Sequence, residues 1–357
     1  MRKYLIIIIA FVIAVAAILF WGLKSYLNSI KAVSNDTTLK SFYVESGQNY
    51  YSIADELKKD NLIKSKLGYK IYLKLNPPAK ALEAGEYHLS ESMSVKQLME
   101  EFGKGVERKE YIKVTFKEGK NMRYFANVIY ENFGYQPEEL YNLLADEKYI
   151  DELIKEYWFL TDEIKNKDIF YSLEGYLYPN TYEFDKEADL KTIIKRLLDE
   201  EEKQLEPYKD KIKKSGYSVH EVVTLASIIE VESRQADRKG VAGVFKNRLD
   251  TGMSLGSDVT TYYGVGLDLH ERDLYTTEIN DPNPYNTRHS SMAGKLPVGP
   301  IANPSISSID AALEPEIHDY FYFVSDKTGK IHFTKTLQEH NSMIQYLKSN
   351  GLWYEYN

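Results

Sequence analysis

Two glutamates, Glu230 and Glu232, interrupt an otherwise apolar stretch and are the side chains best suited to proton transfer. Ser218 and Glu221 stand three residues apart, the spacing of a capping box, ahead of Val222, Val223, Leu225, Ala226, Ile228, Ile229 and Val231. The pattern predicts a helix from Val219 to about Ser233 that is apolar on nearly every side and therefore buried. A carboxyl on such a helix needs partners, or it holds its proton. A carboxyl that stays protonated near neutral pH is what a general acid requires. One turn before Glu230 lie the small residues Ala226 and Ser227, which leave room for a ligand. One turn before Glu232 lie Ile228 and Ile229, which read as packed wall. The spacing favours Glu230 as the acid/base. The opposing reading is an ion pair of Glu230 with Arg234, four residues on, which would remove the acid role.

The elements that would position this helix follow it. Asp237 is suited to cap a second helix carrying Val241, Val244, Phe245 and Leu249, closed by Gly252. Ser254 to Gly264 is polar and aromatic and reads as a loop or short helix near a cleft. Asn283 to His289 and Leu296 to Pro304 read as two rigid loops. Turn chemistry alone accounts for such loops, but three of them beside one carboxylate helix suit a groove for a polar polymer. Ser257, Asp258, Tyr285, Asn286 and Asn303 are the candidate substrate contacts, because sugars stack on aromatics and bond to Asn and Asp. Ile309 to Leu313 and Leu337 to Leu347 read as helices, and Asp319 to Val324 and Ile331 to Phe333 as strands. His270, His289, His318, His332 and His340 lack ligand spacing, so no metal is expected. There is no phosphate-cradling glycine loop and no nucleophile elbow. The chain has no cysteine, which excludes disulfides and thiolate chemistry.

Upstream, Leu190 to Leu205 predicts an amphipathic helix, Tyr171 to Phe184 an ordered loop, and residues 137–166 short helices. Residues 40–105 read as a small α+β module: a strand at Phe42 to Val44, helices near Tyr50 to Leu57 and Lys66 to Leu75, a strand at Gly85 to Leu89 and a helix from Val95 to Phe102. A partial repeat links Ser46-Gly47-Gln48-Asn49 with Glu118-Gly119-Lys120-Asn121, each after a strand and before a helix; a common strand–glycine turn–helix connection gives the same pattern. Leu5 to Leu23 carries no charge, and as a helix its 19 residues rise about 28 Å, close to the hydrocarbon thickness of a bilayer. It predicts a transmembrane anchor with residues 1–4 inside and a stalk over 24–39; a cleaved signal peptide, cut near Ala14 to Ala17, is the competing reading. With a net charge of −8 and no basic face, nucleic acid is not an expected partner.

Several words of the sequence resemble the endolytic murein transglycosylases, the YceG-like family: Gly175 to Tyr182, Leu225 to Glu232, Val244 to Leu249, Ser257-Asp258, Tyr285-Asn286-Thr287, Gly299 to Pro304, Asp319 to Val324 and Glu339-His340-Asn341. The resemblance implies an α+β fold with a single anchor, a LysM-like module over 40–105 and a catalytic domain over 106–357. It implies that Glu230 is the catalytic acid/base and that no cofactor is used. The implied reaction cuts the β-1,4 bond between N-acetylmuramic acid and N-acetylglucosamine without water, closing a 1,6-anhydro ring. The implied partners are peptidoglycan strands, the cytoplasmic membrane and peptidoglycan synthases or elongation and division proteins. A hydrolase using Asp258 as a second carboxylate and a non-catalytic wall-binding scaffold are the competing functions. The sequence departs from the family pattern at Gly256, where Gln is common, at Val259 and Val298, where Pro is common, and in an insertion at Ser291 to Lys295.

Overall fold

The computed structural model describes residues 2–106, 110–269 and 271–353, so His270 lies outside the described residues. The chain forms two compact units that divide between Lys109 and Glu110. The architecture mixes helix and antiparallel sheet.

The first unit begins with one helix, Arg2–Ser29. Its stretch Phe11–Ser29 has a mean hydropathy of 1.6, is not buried, and is long and apolar enough to cross a membrane. The helix continues past Leu23 into the expected stalk, because Lys24 to Ser29 contains no glycine or proline to stop it. Strand β1 (Lys40–Val44) then pairs antiparallel with β2 (Gly85–Leu89), with Phe42 opposite Tyr87. Helices Ala54–Lys59 and Lys66–Leu75 lie between them in sequence, and helix Val95–Lys104 follows. Phe102 from that last helix meets Phe42, Tyr50 and Tyr87 edge-on at 6.2, 6.1 and 4.9 Å, so one aromatic cluster locks the sheet to its helices.

In the second unit, β3 (Tyr111–Thr115) pairs antiparallel with β4 (Thr181–Asp185). The expected loop from Tyr171 therefore ends as a strand. Tyr182 and Phe184 alternate with exposed Thr181 and Glu183, a period of two that lays both rings on the core. The first strands of both units lead through a glycine with positive φ, Gly47 at 91° and Gly119 at 70°, into a helical segment. The central helix is Val219–Glu232, closed at its start by the Ser218–Glu221 capping box and buried from Val222 through Glu230. It packs against Arg238–Asp250 and Ile306–Leu313. Asp237 does not cap helix Arg238–Asp250 as expected: its own backbone is helical, and the 3-10 turn Gln235–Asp237 runs straight into Arg238. The stretch from Ser254 resolves into helix Asp258–Gly264. The hairpin of β5 (Tyr322–Ser325) and β6 (Ile331–Thr334) starts three residues later than expected, and helix Leu337–Ser349 closes the described unit.

Gly175 joins the β4 approach to this core. Its φ is +86°, and a Cβ there would stand 2.5 Å from Pro300 Cβ and 2.9 Å from Val223 Cγ1. Gly175→Ala should therefore destabilise the second unit by about 2 kcal/mol or more, read as a lower denaturation midpoint of the detergent-solubilised chain; an unchanged midpoint would contradict this packing.

Candidate active site

Glu230 sits on the buried face of its helix, with a side chain 3 % exposed, and among the described residues Arg238, Ser305 and Ser308 donate to its carboxylate. Arg238 Nη2 donates to Oε1. Ser305 donates to Oε2 through its backbone N–H at 2.9 Å and its hydroxyl at 2.8 Å, and Ser308 Oγ donates at 2.8 Å. Arg238 also donates to Ser305 Oγ at 2.7 Å and to Ser307 Oγ. Ser305 precedes helix Ile306–Leu313, so the carboxylate takes an N–H at the positive end of that helix. The partner is Arg238 and not Arg234: the helix ends at Glu232, so four residues on is no longer one turn up. The space expected beside Ala226 and Ser227 is filled. Ser227 Oγ accepts from Ile301 N–H at 3.1 Å and donates to Thr224 O, so the small residues admit the loop around Pro300 instead of a ligand.

Glu232 is the last residue of the helix and is half-buried. Burial pushes its carboxyl up to about 7; nearby Asp258 adds to the rise, while a hydrogen bond from Ser257 Oγ and the charges of Arg248 and Arg288 oppose it. Between the two glutamates, Val231 faces a cleft of about 300 Å³ whose walls include Gly119, Asn121, Tyr124, Tyr262 and Ile301. Gly119 separates this cleft from Glu230: a Cβ added there would touch Glu230 Cγ at 3.4 Å.

The walls converge on a third carboxyl, Glu174, which is 1 % exposed. Its Oε2 accepts from Met122 N–H and Tyr263 Oη, each at 2.9 Å, and its Oε1 from Asn303 Nδ2 at 3.3 Å. Burial pushes this group up to about 7 as well. Glu174 thus ties together helix Met122–Phe133, helix Asp258–Gly264 and the loop at Asn303.

The structure divides the expected substrate contacts. Ser257 bonds Glu232, and exposed Asp258 pairs with Arg288. Tyr285, Asn286 and Asn303 lie inside the fold instead: the two asparagines are consumed in holding loops, and the Tyr285 ring packs in the core. Asn286 Nδ2 donates to the carbonyls of Ile279 and Asp281 at 2.9 and 2.7 Å, and its Oδ1 accepts from Thr261. Asn303 Oδ1 accepts from Leu177 N–H, while its Nδ2 reaches Lys120 O. Tyr285 packs its ring 4.8 Å from Tyr263. Arg238, Ser305, Ser308 and Glu174 were not singled out from the sequence. The run Ser305 to Ser308 is the one local signal, as hydroxyls at a helix start are donors looking for an acceptor. Removing one partner of a buried ion pair strands the other charge, so Arg238→Ala should cost about 3 kcal/mol or more of stability. Chemical denaturation checks this, and a wild-type midpoint would contradict it.

Residues 42–346 match the model of the YceG-like family. The chain is 36% identical over 332 residues to the endolytic murein transglycosylase of Bacillus subtilis strain 168, covering 92% of this chain and 90% of that protein. It is 29% identical over 360 residues to the endolytic murein transglycosylase of Streptococcus pneumoniae D39, spanning 96% of this chain and 65% of that longer protein. The crystal structure of a YceG-like protein from Listeria monocytogenes superposes with a TM-score of 0.61 at 32% identity, covering 87% of this chain and all of that one. The chain belongs to the YceG-like family.

Proposed function

We propose that this chain is an endolytic murein transglycosylase, with Glu232 as its acid/base in place of Glu230, the residue the sequence favours. The observation that carries the chemistry is the place of Glu232: a half-buried carboxyl that ends the central helix, accepts from Ser257 Oγ and follows Val231, which lines the cleft; burial pushes it up to about 7. The relatives' shared activity supports the substrate, a peptidoglycan strand. Protonated Glu232 gives its proton to the glycosidic oxygen as the bond from the muramyl anomeric carbon breaks. The resulting carboxylate takes the proton of the muramyl 6-hydroxyl, whose oxygen closes on that carbon and leaves a 1,6-anhydro end. One group serves twice, so no second carboxylate nucleophile is needed. Asp258 supplies negative charge near the developing oxocarbenium, with Ser257 orienting Glu232.

The neighbourhood of Glu230 favours a scaffolding role, since Arg238, Ser305 and Ser308 already occupy its two oxygens. A second reading keeps Glu230 as the acid/base; its closeness to Gly119 at the cleft wall favours that, and it needs the Arg238 pair to open. The β1–helix–helix–β2 order supports reading the module as LysM-like and wall-binding. The apolar helix supports an anchor, and a peptidoglycan substrate supports its orientation, with the N-terminus inside and residues 40 onward outside, within reach of peptidoglycan synthases.

Two measurements test this. Mass spectrometry of digested strands in H₂¹⁸O should find 1,6-anhydro ends without ¹⁸O; reducing ends carrying ¹⁸O would mean hydrolysis, with Asp258 activating water. The rate should fall as pH rises through about 7, because Glu232 loses the proton it must donate. Ser257→Ala removes a hydrogen bond that favours the ionised form, so it should move this midpoint up. Asp258→Asn removes a like charge and should move it down. Midpoints unmoved by either change would contradict Glu232 as the titrating group.

A further inference from the structure

A second cavity, of about 700 Å³, adjoins the first and shares Tyr262 and Leu269 with it. Asp258, the carboxylate beside Glu232, also forms its wall. The two linings differ in kind. Among the described residues, only Lys120 and Asp268 bring charge to the first, and Asp268 is already paired with Arg123 at 2.8 Å. The second presents Asp258, Glu271, Arg272, Asp273 and Arg288. Arg288 pairs with Asp258, and Arg272 forms a fork with Glu278 at 2.9 and 2.5 Å. Both guanidinium groups remain partly exposed, at 40% and 34%, so each can take a further carboxylate. Glu271 and Asp273 are exposed.

An uncharged disaccharide gains little from such a lining, whereas the tyrosines and Asn121 of the first cavity suit sugar faces and hydroxyls. A short peptide carrying both a carboxylate and an ammonium group matches the second. In peptidoglycan that charged part is the stem peptide, attached to the muramyl lactyl group of the same sugar whose bond is cut. We propose that the second cavity is a stem-peptide subsite, with Arg272 and Arg288 receiving carboxylates and Glu271 and Asp273 receiving the side-chain amine. The inference rests on the peptidoglycan reading above and adds a specificity to it.

The test compares full-length protein in detergent on glycan strands that keep their stems and on the same strands stripped by an amidase. Partly exposed ion pairs are worth about fivefold in kcat/KM, expressed mainly in KM, in favour of stem-bearing strands. Glu271→Gln combined with Asp273→Asn should bring that ratio towards one; both side chains are exposed, so the variant folds. Acetylating the stem amine should lower the wild-type ratio and leave the variant's ratio where it is, because the two changes remove one interaction. Equal wild-type rates on both strands, or additive effects of acetylation and the double variant, would overturn the subsite while leaving strand cleavage intact. Failure of the wild type to cut either strand would overturn the proposed function and the subsite with it.

Discussion

The buried carboxylate of Glu230 is the constraint on which the rest of the second unit depends. Arg238 begins one helix, Ser305 and Ser308 belong to the start of another, and Glu230 stands near the end of the central one. Three helices are therefore joined at one ion, and none can shift without stranding a charge or an N–H in the core. Desolvating such a group is expensive, and only a full set of donors makes it tolerable. Its consequence is directional. With Glu230 turned inward, Val231 is turned to the cleft and Glu232 emerges at the helix end, where partial burial raises its proton affinity.

A second polar hub shapes the cleft itself. Glu174 gathers Met122, Tyr263 and Asn303 from three walls, and Asn286 and Asn303 close the loops behind them. These walls are held by hydrogen bonds as well as by apolar packing. Such bonds fix position closely, which a polar polymer read by hydroxyl and amide contacts demands. The two adjoining cavities then differ in charge, so one groove can treat the sugar chain and its peptide separately.

Much of this was legible in the sequence wherever local physics decides. The capping box and the apolar run located the central helix at Val219, and the residues Lys66–Leu75, Gly85–Leu89 and Leu190–Leu205 formed the elements their periodicity predicts. What stayed hidden depends on distant partners. Ala226 and Ser227 signal a close approach but not by what, and the loop at Ile301 arrives from more than seventy residues away. Arg234 reads as the partner of Glu230 only while the helix is taken to continue; it stops at Glu232, and Arg238, eight residues on, makes the pair instead. The polar residues Asn286 and Asn303 look like ligand contacts in a sequence because nothing local reveals that their amides are already satisfied.

The central claim is that one glutamate builds the site and the other works in it. The most direct measurement is strand cleavage by Glu230→Gln and Glu232→Gln, each normalised to its folded fraction. The account predicts that Glu232→Gln folds like the wild type and loses at least about a hundredfold in rate, whereas Glu230→Gln unfolds more readily but cuts strands in its folded fraction. A well-folded Glu230→Gln with no cleavage, beside an active Glu232→Gln, would contradict it.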